Sequence, residues 1–313
     1  MASLKSLCRE QELFSSGHRA CAGCGEALGV RQVLLAATKP CVVVIPTGCT
    51  EIISTLYPHT AWQVPCFHNA FENAAATLSG IEAAYRALRR RGALDREINF
   101  IAFGGDGGTY DIGFQALSGA VERGHRLLYV CTDNQAYMNT GVQRSSATPL
   151  GAHTTTSPAG DRIPGKLQWR KDIVEIMIAH DIPYAAQAAI HNWNDLANKV
   201  QKALQIDGPS FINLLVPCPL GWMFPSEKTI EQSRMATDTC FWPLYECEKG
   251  TYRLNYNPGD KKLPTHTWLK TQDRFRHLFR AGNESLLDAF QREVDRRWEK
   301  LLARVAGAKG AGT

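Results

Sequence analysis

The chain has 313 residues, enough for one large domain or a domain with an appendage. With 44% hydrophobic and 21% charged residues it can bury a sizeable core, which excludes wholesale disorder. Thirty-five Lys and Arg against 30 Asp and Glu leave +5, a charge too weak and too dispersed to point to nucleic acid.

No internal repeat or low-complexity segment breaks the chain. In chain order, the apolar spacing of Glu26 to Ala37 predicts a helix and Cys41 to Ile45 a buried strand. His68 to Arg91 predicts a long Ala-rich helix, closed by Arg89-Arg90-Arg91 and Gly92, since cations complement a helix C-terminus. Ile98 to Phe103 follows as a strand, then the glycine loop Gly104–Gly108, a helix from Asp111 to Arg123 stopped by Gly124, and a strand from Leu127 to Thr132. The polar stretch 133–165 is a long loop of the kind that carries function. A helix (Asp172 to His180), a strand near Tyr184, a helix (Asn194 to Gln205) and a strand (Phe211 to Val216) complete the alternation.

That alternation implies an α/β fold, a mostly parallel sheet with helices on both faces. From Pro219 the pattern changes to a hairpin turning at Lys249-Gly250 and a charged helix from Asp273 to Val305. The expectation is a domain over 1–218 and a C-terminal arm over 219–313 that wraps a neighbouring subunit or its own domain. No apolar run reaches the ~18 residues of a membrane span. The start, Met1-Ala2-Ser3-Leu4-Lys5, lacks the apolar stretch of a secretory leader, so a cytoplasmic protein without membrane partners is expected.

In open parallel sheets, ligands bind outside the carboxyl ends of the strands. Four expected strands run there into chemically unusual residues: Pro46-Thr47-Gly48-Cys49, the loop holding Asp106, Asp133-Asn134, and Pro217-Cys218-Pro219. In Gly105-Asp106-Gly107 the glycines let a phosphate approach the backbone, and Asp106 is a hard oxygen ligand for Mg²⁺. The loop matches neither the dinucleotide fingerprint nor the nucleotide P-loop. Ten cysteines are a surplus where disulfides are disfavoured. Cys21-Ala22-Gly23-Cys24 is a C-x-x-C pair that Cys49 and Cys218 would extend to four soft ligands. Spacing alone leaves zinc and an iron–sulfur cluster both open.

Gly-Asp-Gly, helix, strand, then Asn resembles the thiamine diphosphate enzymes, which implies Mg²⁺ on Asp106, Asn134 and the Ala136 carbonyl. A fuller resemblance rests on His18-Arg19-Ala20-Cys21-Ala22-Gly23-Cys24-Gly25, Thr47-Gly48-Cys49, Phe71-Glu72-Asn73-Ala74-Ala75-Ala76 and Phe103 to Gly113. Tyr137-Met138-Asn139-Thr140-Gly141 and Pro217-Cys218-Pro219 extend it. From about residue 10 to 280 the chain resembles the thiamine-binding β subunit of pyruvate-type 2-oxoacid:ferredoxin oxidoreductases.

The resemblance implies a 4Fe-4S cluster on Cys21, Cys24, Cys49 and Cys218. It implies thiamine diphosphate contacts at Glu26, Cys49, Gly105, Asp106, Gly107, Gly108, Asn134, Gln135, Ala136, Tyr137, Met138 and Asn139, with Asn139 catalytic beside the substrate carbonyl. The implied activity is oxidative decarboxylation of pyruvate with coenzyme A as co-substrate, electrons leaving through the cluster. The implied partners are an α subunit completing the cofactor site, a ferredoxin-like subunit with two clusters, a γ-type subunit and an external ferredoxin. The pyruvate enzymes carry Trp where this chain has Cys66, a change expected to reshape the pocket and to keep oxalate as the rival substrate. A zinc-stabilised assembly subunit and a non-oxidative thiamine decarboxylase are the alternatives from other classes. Cys41, Cys131, Cys8, Cys240 and Cys247 are expected to do no chemistry, His153 to serve structure, and Arg144 and Lys166 to be solvated charges.

Overall fold

The computed structural model describes residues 3–8, 11–160 and 162–310; Met1 and Ala2 of the expected leader-free start lie outside them. Helices α1 (Leu4–Leu7) and α2 (Gly25–Ala36) precede β1 (Cys41–Pro46), and α3 (Cys49–Ser54), β2 (Cys66–Asn69) and α4 (Ala74–Arg90) follow. Strand β3 (Asn99–Gly105) enters a π-helical turn, Gly107–Ile112, then α5 (Phe114–Glu122) and β4 (Leu128–Asp133). After the long loop come α6 (Ile173–Ile178), β5 (Tyr184–Ala189), α7 (Trp193–Gln205) and β6 (Ser210–Leu215). The chain ends with α8 (Pro219–Trp222), α9 (Thr229–Asp238), the hairpin β7 (Tyr245–Glu248) and β8 (Thr251–Leu254), α10 (Thr265–Leu269), a 3-10 turn (Asp273–Phe279) and α11 (Glu284–Gly310).

The eight strands form one sheet in the order β2-β1-β3-β4-β6-β5-β7-β8, parallel from β2 to β5 and antiparallel at the hairpin. The central strands carry apolar runs because their two faces feed different cores. Val43, Ile45, Leu128 and Val130 pack under α2 and α7, whereas Val44, Tyr129 and Cys131 pack under α4, α5 and the C-terminal helices. Each such buried aliphatic side chain contributes about 1.5–3 kcal/mol. Cys41, Cys131, Cys240 and Cys247 are buried in strands or beside them, as small hydrophobes.

Three expectations change. His68 and Asn69 belong to β2, not to the expected helix, because the β2 backbone pairs with Val43–Pro46 of β1; the helix starts at Ala74. The charged C-terminal helix is interrupted: Gly282, at φ +92°, separates the 3-10 turn from α11. The boundary at 218 does not coincide with a break in the core, since β7 pairs with β5 and Phe290, Val294, Trp298 and Leu301 of α11 join the core beneath the sheet. The described part of the 219–313 segment thus folds onto its own domain. No helix of the described residues is long and apolar enough to cross a membrane.

One half-buried histidine gives the fold a pH signature. His191 follows β5, bonded to Ser233 Oγ at 3.2 Å, and burial lowers its pKa to about 4. Between pH 6.5 and 4 the unfolded chain takes up a proton that the folded one refuses, so stability falls as pH falls through that window. His191→Asn should remove this component, so urea midpoints of wild type and variant converge or cross as pH drops from 7 to 4.5. Parallel pH profiles would contradict it.

Candidate functional site

The four strands singled out by sequence are consecutive neighbours, β1-β3-β4-β6, so their carboxyl ends lie side by side. At ~4.8 Å between strands, the residues that follow them span ~15 Å of one sheet edge. Cys49, Asp106, Asn134 and Cys218 all lie there.

Three thiols stand where helices begin. Cys24 is the N-cap of α2, Cys49 the first residue of α3, and Cys218 the N-cap of α8. Backbone amides accordingly face the sulfurs: those of Glu26 and Ala27 at Cys24, that of Asn139 at Cys49, and that of Gly221 at Cys218, 3.4 Å away. Such amides and the helix dipole favour thiolate over thiol. Two glycines bring Cys24 to Cys218. The Gly25 amide donates to the Pro217 carbonyl at 3.2 Å, and a Cβ on Gly25 or Gly29 would run into the Pro217 backbone or Val216.

Glu26 is fully buried and accepts from Thr50 Oγ1, from Thr132 Oγ1 at 3.1 Å and from Asn134 Nδ2 at 3.1 Å. The same Asn134 amide reaches Cys49 Sγ at 4.0 Å. Its Oδ1 is buried and has no hydrogen-bond partner, which a protein interior rarely tolerates unless a ligand supplies one. The Asn134 carbonyl accepts from Trp222 Nε1 at 2.7 Å, and Gln135, at φ +72°, turns the loop sharply before Ala136.

Asp106 caps the π-helical turn and accepts from Ser145 Oγ. A Cβ on Gly105 would meet nothing within 4 Å, whereas one on Gly107 would enter the ring of Tyr137. Glycine therefore leaves open space on one side of Asp106 and lets Tyr137 lie close on the other. The unsatisfied amide oxygen, the buried carboxylate and this open space fit a divalent cation with its phosphate ligand.

The electrostatics are compatible with such a cation. Burial, and then the charge of Asp133, raise the Asp106 pKa well above the carboxylate range; burial also raises Glu26. Asp133 is the better stabilised of the acidic pair, with Arg170 Nη2 at 3.0 Å and Tyr110 donating at 2.6 Å, so Asp106 is the one that lacks compensation. Burial followed by the Glu26 charge raises Cys24 to about 12, and Cys49 and Cys218 are raised likewise. Cys24, Cys49 and Cys218 act on one another, and Cys21 acts on Cys218. Among the described residues no three His, Cys, Asp or Glu side chains close on one ion.

The other candidates divide. Gln135 and Ala136 are buried in the loop after β4, Tyr137 and Met138 are half-buried against Gly107 and Gly221, and Asn139 is exposed on the rim. Cys66, the first residue of edge strand β2, pairs with Val43 and is half-buried against the core, away from the carboxyl end of its strand. His68 lies on β2 and meets Thr47 Oγ1 at 3.3 Å. His153 accepts from the Ala159 amide, a structural bond, and Arg144 is exposed. Lys166 is not solvated: it is buried and donates to the Thr148 carbonyl at 2.6 Å, while Thr148 Oγ1 in turn holds the Gln135 carbonyl at 2.6 Å. Sequence reading missed Arg170, Arg274 and Ser145, which reach the site from distant loops and have no local signature.

A thiamine pyrophosphate enzyme C-terminal TPP-binding domain matches residues 46–214. Pyruvate synthase subunit PorB of Methanocaldococcus jannaschii is 53% identical over 293 residues, 93% of this chain and 97% of its own. PorB of Thermotoga maritima is 51% identical over 92% of this chain and 91% of its own. Ketoisovalerate oxidoreductase subunit VorB of Pyrococcus abyssi is 46% identical over 95% of each. A solved 2-oxoglutarate:ferredoxin oxidoreductase from Magnetococcus marinus superposes with a TM-score of 0.56 at 18% identity, over 72% of this chain and 81% of that one, a likeness of fold.

Asp106→Asn tests the electrostatic argument. It should stabilise the metal-free protein by about 1–3 kcal/mol, the cost of an uncompensated buried polar group. It should also lose the further rise in melting temperature that Mg²⁺ with thiamine diphosphate gives the wild type. An unchanged metal-free melting temperature would show that Asp106 is not the strained member.

Proposed function

The chain belongs to the thiamine diphosphate-binding β subunits of the 2-oxoacid:ferredoxin oxidoreductases, and from that membership we propose that it serves the CoA-dependent oxidative decarboxylation of pyruvate. Thiamine diphosphate would be held through Mg²⁺ on Asp106, Asn134 Oδ1 and the Ala136 carbonyl, and one 4Fe-4S cluster by Cys21, Cys24, Cys49 and Cys218. When bound, the cofactor supplies the electron sink for decarboxylation and the cluster a one-electron exit.

The observation that carries this reading is Asn134, whose amide touches both Glu26 of the cofactor half and Cys49 of the thiol half. The chain's own residues then have defined tasks. Asp106 and the unpartnered Asn134 oxygen receive the cation, while Trp222 and Thr148 clamp the carbonyls on either side and keep the loop from collapsing into the gap. Glu26, held by three donors, fixes Asn134 in the orientation that leaves Oδ1 free. Gly105, Gly107 and Gly108 with Tyr137 and Met138 wall the diphosphate and thiazolium space, and Asn139 on the rim offers its amide to the substrate carbonyl.

The site needs partners. Ile52, Leu56 and Tyr57 follow Cys49, and Leu220 and Met223 follow Cys218; all are exposed, Tyr57 by 95% and Leu220 by 70%. Large apolar side chains around a site suit burial by other subunits. We assign that cover to an α subunit completing the cofactor site, with a ferredoxin-like two-cluster subunit and a γ-type subunit in the same complex and an external ferredoxin as acceptor. The 46% identity to the ketoisovalerate enzyme subunit supports a branched-chain 2-oxoacid as the second reading.

The complex, purified anaerobically, should contain ~4 iron per copy of this chain beyond that of its partners, and Cys24→Ala or Cys218→Ala should abolish that share. Viologen reduction should be fastest with pyruvate and coenzyme A. Faster turnover of ketoisovalerate selects the second reading, turnover of oxalate without coenzyme A overturns both, and zinc in place of iron overturns the cluster.

A further inference from the structure

Gln135, between Asn134 and Ala136, stands in the left-handed region at φ +72°, a conformation that disfavours any residue with a Cβ. Three bonds hold it there. Its amide donates to Asp133 Oδ1 at 3.1 Å, and its carbonyl accepts from Thr148 Oγ1 at 2.6 Å. The third arrives from 139 positions away: Arg274 Nη2 donates to Gln135 Oε1 at 2.7 Å. Gln135 is fully buried and its Nε2 has no partner, so among the described residues Arg274 alone fixes that side chain by hydrogen bonding.

Arg274 is itself held on every side. It lies in the 3-10 turn Asp273–Phe279 and is only 2% exposed. Its Nε donates to Gln272 Oε1 at 2.9 Å, and its carbonyl accepts from the His153 amide at 3.0 Å. Its guanidinium lies 4.0 Å over the centre of the Trp222 ring, and Trp222 Nε1 donates to the Asn134 carbonyl at 2.7 Å. The side-chain partners of Arg274 are neutral amides, so what these contacts use is the rigid, directional fork of a guanidinium. One side chain thus bears on Gln135 directly and on the peptide ahead of it through Trp222.

We propose that Arg274 is a positioning residue for the divalent cation: by fixing Gln135 and Trp222 it holds the left-handed turn that sets the directions of Asn134 and Ala136. The inference rests on the Mg²⁺ assignment made above, in which Asn134 Oδ1 and the Ala136 carbonyl receive one ion. Arg274 acts only through residues that carry those ligands. Loss of such a supporting group typically weakens metal binding by about 10–100-fold.

The test uses the native complex, freed of cofactor and titrated with Mn²⁺ with and without thiamine diphosphate, the free ion being counted by EPR. Arg274→Met, which keeps the bulk and removes the donors, should weaken the thiamine-dependent Mn²⁺ binding about tenfold or more. Glycine adopts the left-handed conformation without penalty. On a Gln135→Gly background, Arg274→Met should therefore cost little, whereas a merely structural Arg274 would cost the same on both backgrounds. If Arg274→Met does not assemble, Gln135→Met removes the same bond from the other side and should weaken Mn²⁺ binding comparably. Wild-type affinity in Arg274→Met, or in Gln135→Met where the first does not assemble, overturns the proposal, as does an equal loss on the Gln135→Gly background. A wild-type complex that takes up no Mn²⁺ with thiamine diphosphate overturns the cation assignment, and the proposal with it.

Discussion

A parallel sheet delivers the carboxyl end of every strand to the same edge, and here four adjacent strands deliver anions or their precursors there. Glu26, Asp106, Asp133 and three half-buried thiols crowd a rim ~15 Å long by strand spacing. The polypeptide answers only part of that charge, with Arg170 on Asp133 and backbone amides on the sulfurs. Burial raises the pKa values of Asp106, Glu26 and the thiols, and neighbouring negative charge adds to it at Asp106 and Cys49. On the reading proposed above, a divalent cation and an iron-rich core would add compensation from outside the chain. Stability has been given up locally so that binding can restore it.

The rim holds its shape without its ligands because neutral groups brace the loops between the strands. Trp222 and Thr148 fix two successive carbonyls around Gln135, and Tyr137 lies against Gly107. The segment after β6 does much of this bracing. It supplies Trp222 and Arg274 to the site and two strands to the sheet. What reads in sequence as an appendage is therefore part of the machinery that sets the loop after β4.

The central strands were legible because both of their faces are buried, which writes them as unbroken apolar runs such as Val42–Ile45 and Leu127–Cys131. Strand β2 was not, because Cys66–Asn69 lies at the sheet edge with its middle residues exposed and carries no such run. The candidate rim could be read from the residues that follow each strand, since a parallel topology alone places them together. Its cations could not. Arg274 meets Gln135 across 139 positions of sequence, and Arg170 meets Asp133 across 37, distances over which no local pattern survives. Cys66 opens that same edge strand, paired with Val43 and half-buried against the core.

The matched domain, 46–214, contains Asp106, Asn134 and Cys49, while Cys21, Cys24 and Cys218 lie just outside it. Those outer cysteines sit in joints, a loop ahead of α2 and a turn beyond β6, where they bury little of the core. On the cluster reading proposed above, the vitamin-binding body and the electron exit would be separable, since losing the outer thiols would leave the packed interior intact.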